Sequence, residues 1–131
     1  MIVVADASAF GDLIVQRRDA PLFRLLQTGA DIHVPTLCDI EVCSALVQME
    51  RTHHANATRI QDALTDHLEL PLQRHGHVAL LPRLLELRHN FSIYDAVYVA
   101  LSESLNAALL TADNRLARAV RHHTAVELWS G

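Results

Sequence analysis

The sequence predicts a single α/β domain over residues 1–131, with a mostly parallel central β-sheet flanked by α-helices. Short aliphatic and β-branched runs alternate with helical patterns along the whole chain. Strands separated by helices imply crossover connections and therefore parallel pairing. The length of 131 residues suits one domain, and no repeat or low-complexity linker divides it. Half of the residues are hydrophobic and a fifth are charged, which is the balance of a folded globular protein.

The first half of the chain predicts two strands and three helices. Pro21 lies early in the second helix and Gly29 lies just beyond its end, which is the usual placement of these residues. Pro35 closes the second strand. In chain order the elements are a strand at 2–5, helices at about 7–18 and 21–27, a strand at 31–34 and a helix at about 36–51.

The second half continues the alternation. The helix that begins at Ser92 has an apolar stripe formed by Ile93, Val97, Ala100 and Leu101. In chain order we expect a helix at about 56–67, a strand at 68–73, helices at about 77–88 and 92–105, a strand at 107–111, a helix at about 114–121 and a final strand at 125–128.

Charge and cysteine content exclude several classes of protein. Eleven arginines and no lysines face fifteen acids, so the net charge of −4 argues against a protein that coats nucleic acid. Cys38 and Cys43 are too few for a disulfide scaffold and do not form a C-x-x-C motif. No apolar run is long enough to span a membrane, and residues 1–6 lack the basic start of a signal peptide. We therefore expect a cytoplasmic protein without a membrane partner.

Four acidic residues lie close to the ends of predicted strands. Asp6 ends the first strand, and Asp113 follows the strand at 107–111. Glu41 lies in the second turn of the helix after the second strand, and Asp95 lies in the first turn of the helix at 92–105. Sites in parallel α/β folds lie at the carboxyl ends of the strands, so we expect these four carboxylates to meet.

Each acid also has a simpler structural explanation. Asp6 and Asp113 are suitable helix N-caps. Ser92 and Asp95 have the spacing of a capping box. Glu41 lies on the same polar stripe of its helix as Ser44 and Gln48, and this stripe suits the solvent-exposed face of the helix.

Together the four acids favour a metal centre. Four neighbouring carboxylates repel one another unless a cation lies between them. Mg²⁺ or Mn²⁺ binds carboxylate oxygens and supports displacement at a phosphoryl group. In sites with two such metals, the ions lie about 3.5–4 Å apart. The excess of four acids over the eleven arginines equals the number of acids in the proposed site.

The chain resembles the PIN domain over its whole length, and in particular the VapC toxins of bacterial toxin–antitoxin pairs. The resemblance lies in four ordered segments, which are residues 3–9, Val34-Pro35 with Glu41 and Ala45-Leu46, residues 94–101, and residues 109–116.

This resemblance implies a Mg²⁺- or Mn²⁺-dependent endoribonuclease and a VapB-like antitoxin as partner. It implies that Asp6, Glu41, Asp95 and Asp113 are both the catalytic residues and the metal ligands. Some PIN domains carry a further acid where this chain has Asn114, so the number of metal ions stays open.

Further side chains are candidates for supporting roles. We expect Ser8 to hydrogen-bond Asp6 or a metal-bound water, and Thr111 to do the same for Asp113. Arg115 and Arg118 suit RNA phosphates, because a guanidinium forms paired hydrogen bonds with phosphate oxygens. With Arg121 they also fit an ordinary solvated helix face.

The helix at 36–51 has two separate apolar arcs. One arc can face the sheet, and the other needs cover from a neighbouring helix, a second copy of the chain or an antitoxin segment. The arcs are Cys38, Val42, Leu46 and Met49, and Ile40, Cys43 and Val47.

Two other functions remain as alternatives, whereas a zinc site is disfavoured. A PIN-fold module could bind RNA or a partner with little or no catalysis, although such a module has no need of clustered acids. A flap-type DNA nuclease would require larger insertions than this chain has. The nine histidines do not have zinc-site spacing, because their pairs are adjacent in the chain or flank Gly76.

Overall fold

One four-stranded parallel sheet organises the fold. The computed structural model describes residues 1–130. The strands are β1 (Ile2–Ala5), β2 (Asp31–Pro35), β3 (Leu72–His75) and β4 (Ala108–Leu110). They lie in the order β3-β2-β1-β4, and every neighbouring pair is parallel, which confirms the predicted fold class.

Seven α-helices connect and follow these strands. Two short 3-10 turns, Arg17–Asp19 and Val78–Leu80, precede the second and fifth helices. Within residues 1–130, no helix combines the length and the apolarity needed to cross a bilayer. The helices are α1 (Ala7–Gln16), α2 (Pro21–Gln27), α3 (Leu37–Arg51), α4 (Ala57–Glu69), α5 (Leu81–Leu87), α6 (Ile93–Leu105) and α7 (Asn114–His123).

The centre of the sheet is buried on both faces. Val3, Val4 and Ala5 of β1 have no exposed surface, so packing partners cover both faces of this strand. Helix α6 packs across β1, β2 and β4, while α1 contacts α2 and α3. The all-apolar sequence of β1 is therefore the signature of a central strand.

Most predicted elements are present, with shifted ends. The α2 prediction is confirmed over Pro21–Gln27. Helix α1 ends at Gln16 rather than at residue 18, because Arg17 leaves the helical conformation and has a positive φ of 52°. The predicted helix at 77–88 is a 3-10 turn followed by the shorter α5.

Two strand predictions need larger corrections. The predicted strand at 68–73 is wrong at its start, because α4 continues to Glu69 and β3 covers Leu72–His75. The final strand at 125–128 is reduced to a single parallel bridge between Leu128 and Leu109. In both places the pairing partner in the sheet, rather than local alternation, decides which residues are extended.

The strand order creates a topological switch point between β1 and β4. From β1 the chain moves through β2 to β3, and it then returns to the other side of β1 to form β4. Ligand sites in open parallel sheets lie at this point, beyond the carboxyl ends of the strands. Asp6 follows β1 and Thr111 follows β4, so both lie there.

An ion-pair cluster joins α3, α4 and β3 near the edge of the sheet. Asp39 of α3 accepts hydrogen bonds from Arg74 Nε at 2.8 Å and Arg74 Nη2 at 3.1 Å. Its Oδ1 also lies 2.8 Å from Nε2 of the buried His67. Hydrogen bonds from Arg74 and His67 hold the pKa of the Asp39 carboxyl below its ordinary value, despite partial burial.

Replacing Asp39 should destabilise the protein in a pH-dependent way. Because the pKa of Asp39 is lower in the folded state, its contribution to stability is complete above about pH 4 and is lost as pH falls through the folded pKa. We expect Asp39→Asn to lower the free energy of unfolding at pH 7 by about 1–2 kcal/mol. Urea titrations at several pH values measure this difference.

The matched control is Asp62→Asn, since Asp62 is exposed on α4 and has no ion-pair partner within residues 1–130. Equal stability of the Asp39→Asn and Asp62→Asn variants at pH 7 would contradict the role of the cluster.

Candidate active site

Asp6 is the buried centre of the candidate site. Its backbone N–H donates to the carbonyl oxygen of Leu110 at 3.1 Å, which extends the β1–β4 pairing by one step. Its Oδ1 accepts a hydrogen bond from the N–H of Ala9 at 3.1 Å and so caps α1. The predicted cap is therefore present, yet a cap alone does not explain a carboxylate that is only 5% exposed.

Two hydroxyl groups fix the Asp6 carboxylate. Ser8 Oγ donates to Oδ1 at 2.6 Å, and Thr111 Oγ1 donates to Oδ2 at 2.5 Å. Ser8 Oγ in turn accepts from the N–H of Ala112 at 2.9 Å. The expected bond between Ser8 and Asp6 is confirmed, whereas Thr111 donates to Asp6 and not to the carboxylate of Asp113. The oxygen of Thr111 instead accepts from the Asp113 N–H at 3.0 Å.

Burial raises the pKa of Asp6 above its ordinary value. The hydrogen bonds from Ser8, Thr111 and the Ala9 N–H oppose this shift, and the negative charge of Asp95 adds to it. The charged form of Asp6 is thus held in position, but no cationic side chain of residues 1–130 forms an ion pair with it. A cation at this carboxylate would relieve that cost.

Glu41 of α3 lies beside Tyr98 of α6. The Tyr98 hydroxyl donates to Glu41 Oε1 at 2.5 Å. Partial burial raises the pKa of Glu41, the Tyr98 hydrogen bond lowers it, and the charges of Asp6 and Asp95 raise it further. The idea that Glu41 only lies on a solvated face is wrong, because its side chain is partly buried and bonded.

Sequence reasoning missed Tyr98. Its side chain is only 2% exposed, and burial raises the pKa of its hydroxyl, which therefore remains a hydrogen-bond donor. Tyr98 follows Asp95 by three residues on α6, so the two residues share a helix face. That spacing was the available signal, but it could not reveal which acid the hydroxyl would contact.

Asp113 caps α7 and belongs to an arginine bridge. Its Oδ1 accepts from the N–H groups of Arg115 at 2.9 Å and Leu116 at 3.2 Å. Arg115 Nη2 lies 3.2 Å from Asp95 Oδ2 and 3.4 Å from Asp113 Oδ2. Ser92 Oγ accepts from the N–H of Asp95 as a capping box requires, while the Asp95 carboxylate bonds Arg115 instead.

The four predicted acids are thus gathered at one edge of the sheet without forming a closed ligand shell. Among residues 1–130, no three acidic, histidine or cysteine side chains form a group arranged to hold a metal ion. A guanidinium lies between Asp95 and Asp113, and it is 69% exposed. The donors are nevertheless carboxylate oxygens, which are the chemistry that hard divalent cations prefer, so the residues fit such an ion.

The remaining predicted side chains lie along α7. Asn114 begins this helix, and Arg118 is one turn further on, with both side chains exposed. They line a cavity of about 240 Å³ next to Thr111. Arg115 is exposed but also contacts Asp95 and Asp113, which the sequence did not indicate.

Comparisons with known proteins identify related sequences. A family model described as the PIN domain matches residues 3–121. Ribonuclease VapC3 of Mycobacterium tuberculosis is 39% identical over 120 residues, which covers 89% of this chain and 86% of that protein. The match includes all four candidate acids, since the family model spans residues 3–121.

Solved structures show the same fold at lower sequence identity. The structure of PAE2754 from Pyrobaculum aerophilum gives a TM-score of 0.73 at 19% identity and covers 98% of this chain and 83% of that one. The structure of VapBC2 from Rickettsia felis, bound to a DNA fragment from their promoter, gives a TM-score of 0.67 at 16% identity. This match covers 99% of this chain and 100% of that one.

Removing the Tyr98 hydroxyl should raise the pKa of Glu41. In Tyr98→Phe the carboxylate loses the donor that lowers its pKa, while burial and the charges of Asp6 and Asp95 remain. NMR titration of the Glu41 side chain in both proteins measures the shift. Tyr94→Phe is the matched control, because Tyr94 is on the same helix and 63% exposed. An unchanged Glu41 titration in Tyr98→Phe would contradict this coupling.

Proposed function

This chain belongs to the PIN-domain family, and from that membership and the geometry of its acids we propose that it is a divalent-metal-dependent endoribonuclease toxin. The related protein named Ribonuclease VapC3 supports the hydrolase assignment. The proposed reaction is hydrolysis of RNA phosphodiester bonds, and the proposed compartment is the cytoplasm.

The observation that carries this proposal is the buried Asp6 carboxylate at the switch point. Its charge is disfavoured by burial and by Asp95, and three hydrogen-bond donors nevertheless hold it in one orientation. A protein that only bound a partner would gain nothing from neighbouring acids that raise each other's pKa values. Carboxylates with perturbed pKa values cluster at catalytic sites, which favours a hydrolase.

We assign two roles to the four acids. Asp6, Asp95 and Asp113 would hold Mg²⁺ or Mn²⁺, and Glu41 would bind the ion through water or accept a proton from the attacking water. When bound, the ion would supply an activated water and stabilise charge that develops on the phosphate. Whether one or two ions bind depends on Asn114, which offers an amide oxygen rather than a carboxylate.

Other side chains of the site orient and balance these acids. Ser8 and Thr111 hold Asp6 through its two oxygens, so that its orientation does not depend on a ligand. Arg115 bridges Asp95 and Asp113 and supplies one positive charge between the two acids. Because its side chain is largely exposed, Arg115 can turn to an RNA phosphate when a cation replaces it between the acids.

A VapB-like antitoxin is the proposed regulatory partner. A cavity of about 320 Å³ lies between α1, α2 and α4, and its walls include Phe10, Leu13 and Phe23. Arg17 and Arg18 also line it. Apolar walls with neighbouring cations suit an apolar segment that carries acidic residues.

A homodimer is the second proposed assembly. The predicted division of α3 into two arcs is confirmed, since Cys38, Val42 and Leu46 are buried while Ile40 and Val47 are 68% and 39% exposed. Cys43 on the outer arc is also exposed. The outer arc lacks cover within residues 1–130, and a second copy of the chain would bury it.

Asp95→Asn tests the catalytic assignment. The variant should fold, because Ser92 still caps α6, and removal of one repelling charge favours the folded state. Cleavage of total RNA in Mg²⁺ or Mn²⁺ should fall by orders of magnitude, since both metal affinity and water activation decline. Gel analysis of the cleaved RNA, with and without chelator, measures the effect.

The control for this experiment is Asp62→Asn, which removes an acid far from the site and should cleave normally.

Mn²⁺ should also raise the melting temperature of the natural protein but not that of an Asp6→Asn, Asp95→Asn double variant. Near-normal RNA cleavage by a folded Asp95→Asn variant would contradict the catalytic role of Asp95 and favour a non-catalytic binding module.

Val47→Glu tests the homodimer. A charge in the outer arc of α3 should convert a dimer into a monomer, because an unpaired buried carboxylate is strongly disfavoured at an interface. Light scattering at several concentrations measures the mass. Val15→Glu is the control, since Val15 is 71% exposed on α1. A natural protein that remains monomeric at high concentration would exclude this interface.

A further inference from the structure

The cavity of about 240 Å³ beside the acids has two chemically different walls. One wall is the outward face of α7, with Asn114, Arg118 and Arg121. The other is the C-terminal segment, with Leu128 and Trp129. Cationic and amide groups thus face an aromatic and aliphatic surface across a small gap.

The aromatic wall is held in place by the sheet. The backbone N–H of Trp129 donates to the carbonyl oxygen of Leu109 at 2.9 Å. The backbone N–H of Leu109 donates to the Glu127 carbonyl oxygen at 2.8 Å. These bonds attach the C-terminal segment to the outer edge of β4. The Trp129 indole is only partly buried, so part of its surface remains available to a ligand.

The cationic wall is free to bind an anion. Arg118 and Arg121 are exposed and lie one turn apart on α7. Within residues 1–130, no carboxylate lies within ion-pair distance of either guanidinium. Arg115, in contrast, is engaged with Asp95 and Asp113.

The cavity is directly connected to the candidate active site. Thr111 contributes to its lining, and the hydroxyl of the same residue donates to Asp6. A nucleotide in the cavity would therefore be a near neighbour of a phosphate held at the acids. The cavity volume lies just below the roughly 300–1,000 Å³ of pockets for drug-sized ligands, so it suits one base rather than a folded segment.

We propose that this cavity is a nucleotide subsite of the RNA substrate, in which a single-stranded base stacks on Trp129 and the adjoining phosphate binds Arg118 and Arg121. Aromatic stacking with arginine contacts to the backbone is the general mode of single-stranded nucleic-acid recognition. The subsite would place the RNA relative to Asp6. This inference rests on the proposed endoribonuclease function, but it concerns binding rather than bond cleavage.

Tryptophan fluorescence gives a direct test, because Trp129 is the single tryptophan of the chain. A single-stranded RNA of about ten nucleotides is titrated in EDTA, so that metal-dependent cleavage cannot occur. Stacking should quench the Trp129 emission saturably. An RNA of equal length without bases should bind more weakly and leave the emission nearly unchanged, whereas equal binding of the two RNAs would overturn the base subsite.

Variants separate the two walls of the subsite. Anisotropy of labelled RNA should show about tenfold or greater weakening for Trp129→Leu, without a change in salt dependence. The Arg118→Ala, Arg121→Ala double variant should also bind more weakly. The plot of log affinity against log salt concentration should become less steep by about 1.4, which corresponds to the loss of two contacts with single-strand phosphates.

Three controls distinguish binding from folding. Trp129→Phe retains an aromatic ring and should restore most of the affinity that Trp129→Leu loses. Arg51→Ala removes an exposed arginine at the far end of α3 and should bind RNA normally. Melting temperatures of all variants identify any that fail to fold, and the substitutions of the exposed Arg118 and Arg121 are least able to disturb the core.

The outcomes separate this proposal from the proposed function. Saturable quenching without any RNA cleavage by the natural protein would support the subsite and contradict the nuclease. Normal cleavage without quenching, and with unchanged affinity in all variants, would overturn the subsite and leave the nuclease intact.

Discussion

The arrangement of the whole site depends on one buried carboxylate at the switch point of the sheet. Asp6 is tied to β4 through its own N–H and through Thr111, and to α1 through Ser8 and Ala9. These bonds lock the end of β1 to the end of β4, so the same contacts that complete the fold also orient the acid. Burial keeps its charge costly, and the protein offsets only part of that cost.

The neighbouring acids are balanced in two different ways. Glu41 has a neutral donor, Tyr98, which lowers its pKa without cancelling its charge. Asp95 and Asp113 share the Arg115 guanidinium, which is exposed and therefore easily exchanged. An exposed ion pair contributes little to stability, so breaking it costs the fold little. The site is thus rigid around Asp6 and adaptable around Arg115.

Local sequence patterns predicted the elements whose signals are strong and self-contained. The aliphatic β1, the helix at Pro21–Gln27 and the Ser92 cap are all present in the structure. Predictions failed where a tertiary partner decides the conformation. Residues 68–69 remain in α4 because β2 pairs only with Leu72–His75, and residues 125–128 pair with β4 at only one position.

The sequence by itself determined the parallel α/β class, the family resemblance and the set of four acids, because strand ends and helix starts carry those signals in short segments. Only the tertiary structure decided how the acids are held. The Tyr98–Glu41 and Arg115–Asp95 contacts join residues 57 and 20 positions apart, and Thr111 reaches Asp6 across 105 positions. The cavity formed by α7 and Trp129 likewise requires the C-terminal segment to lie against β4. No local pattern encodes such distances, since they arise when strands distant in sequence become neighbours in the sheet.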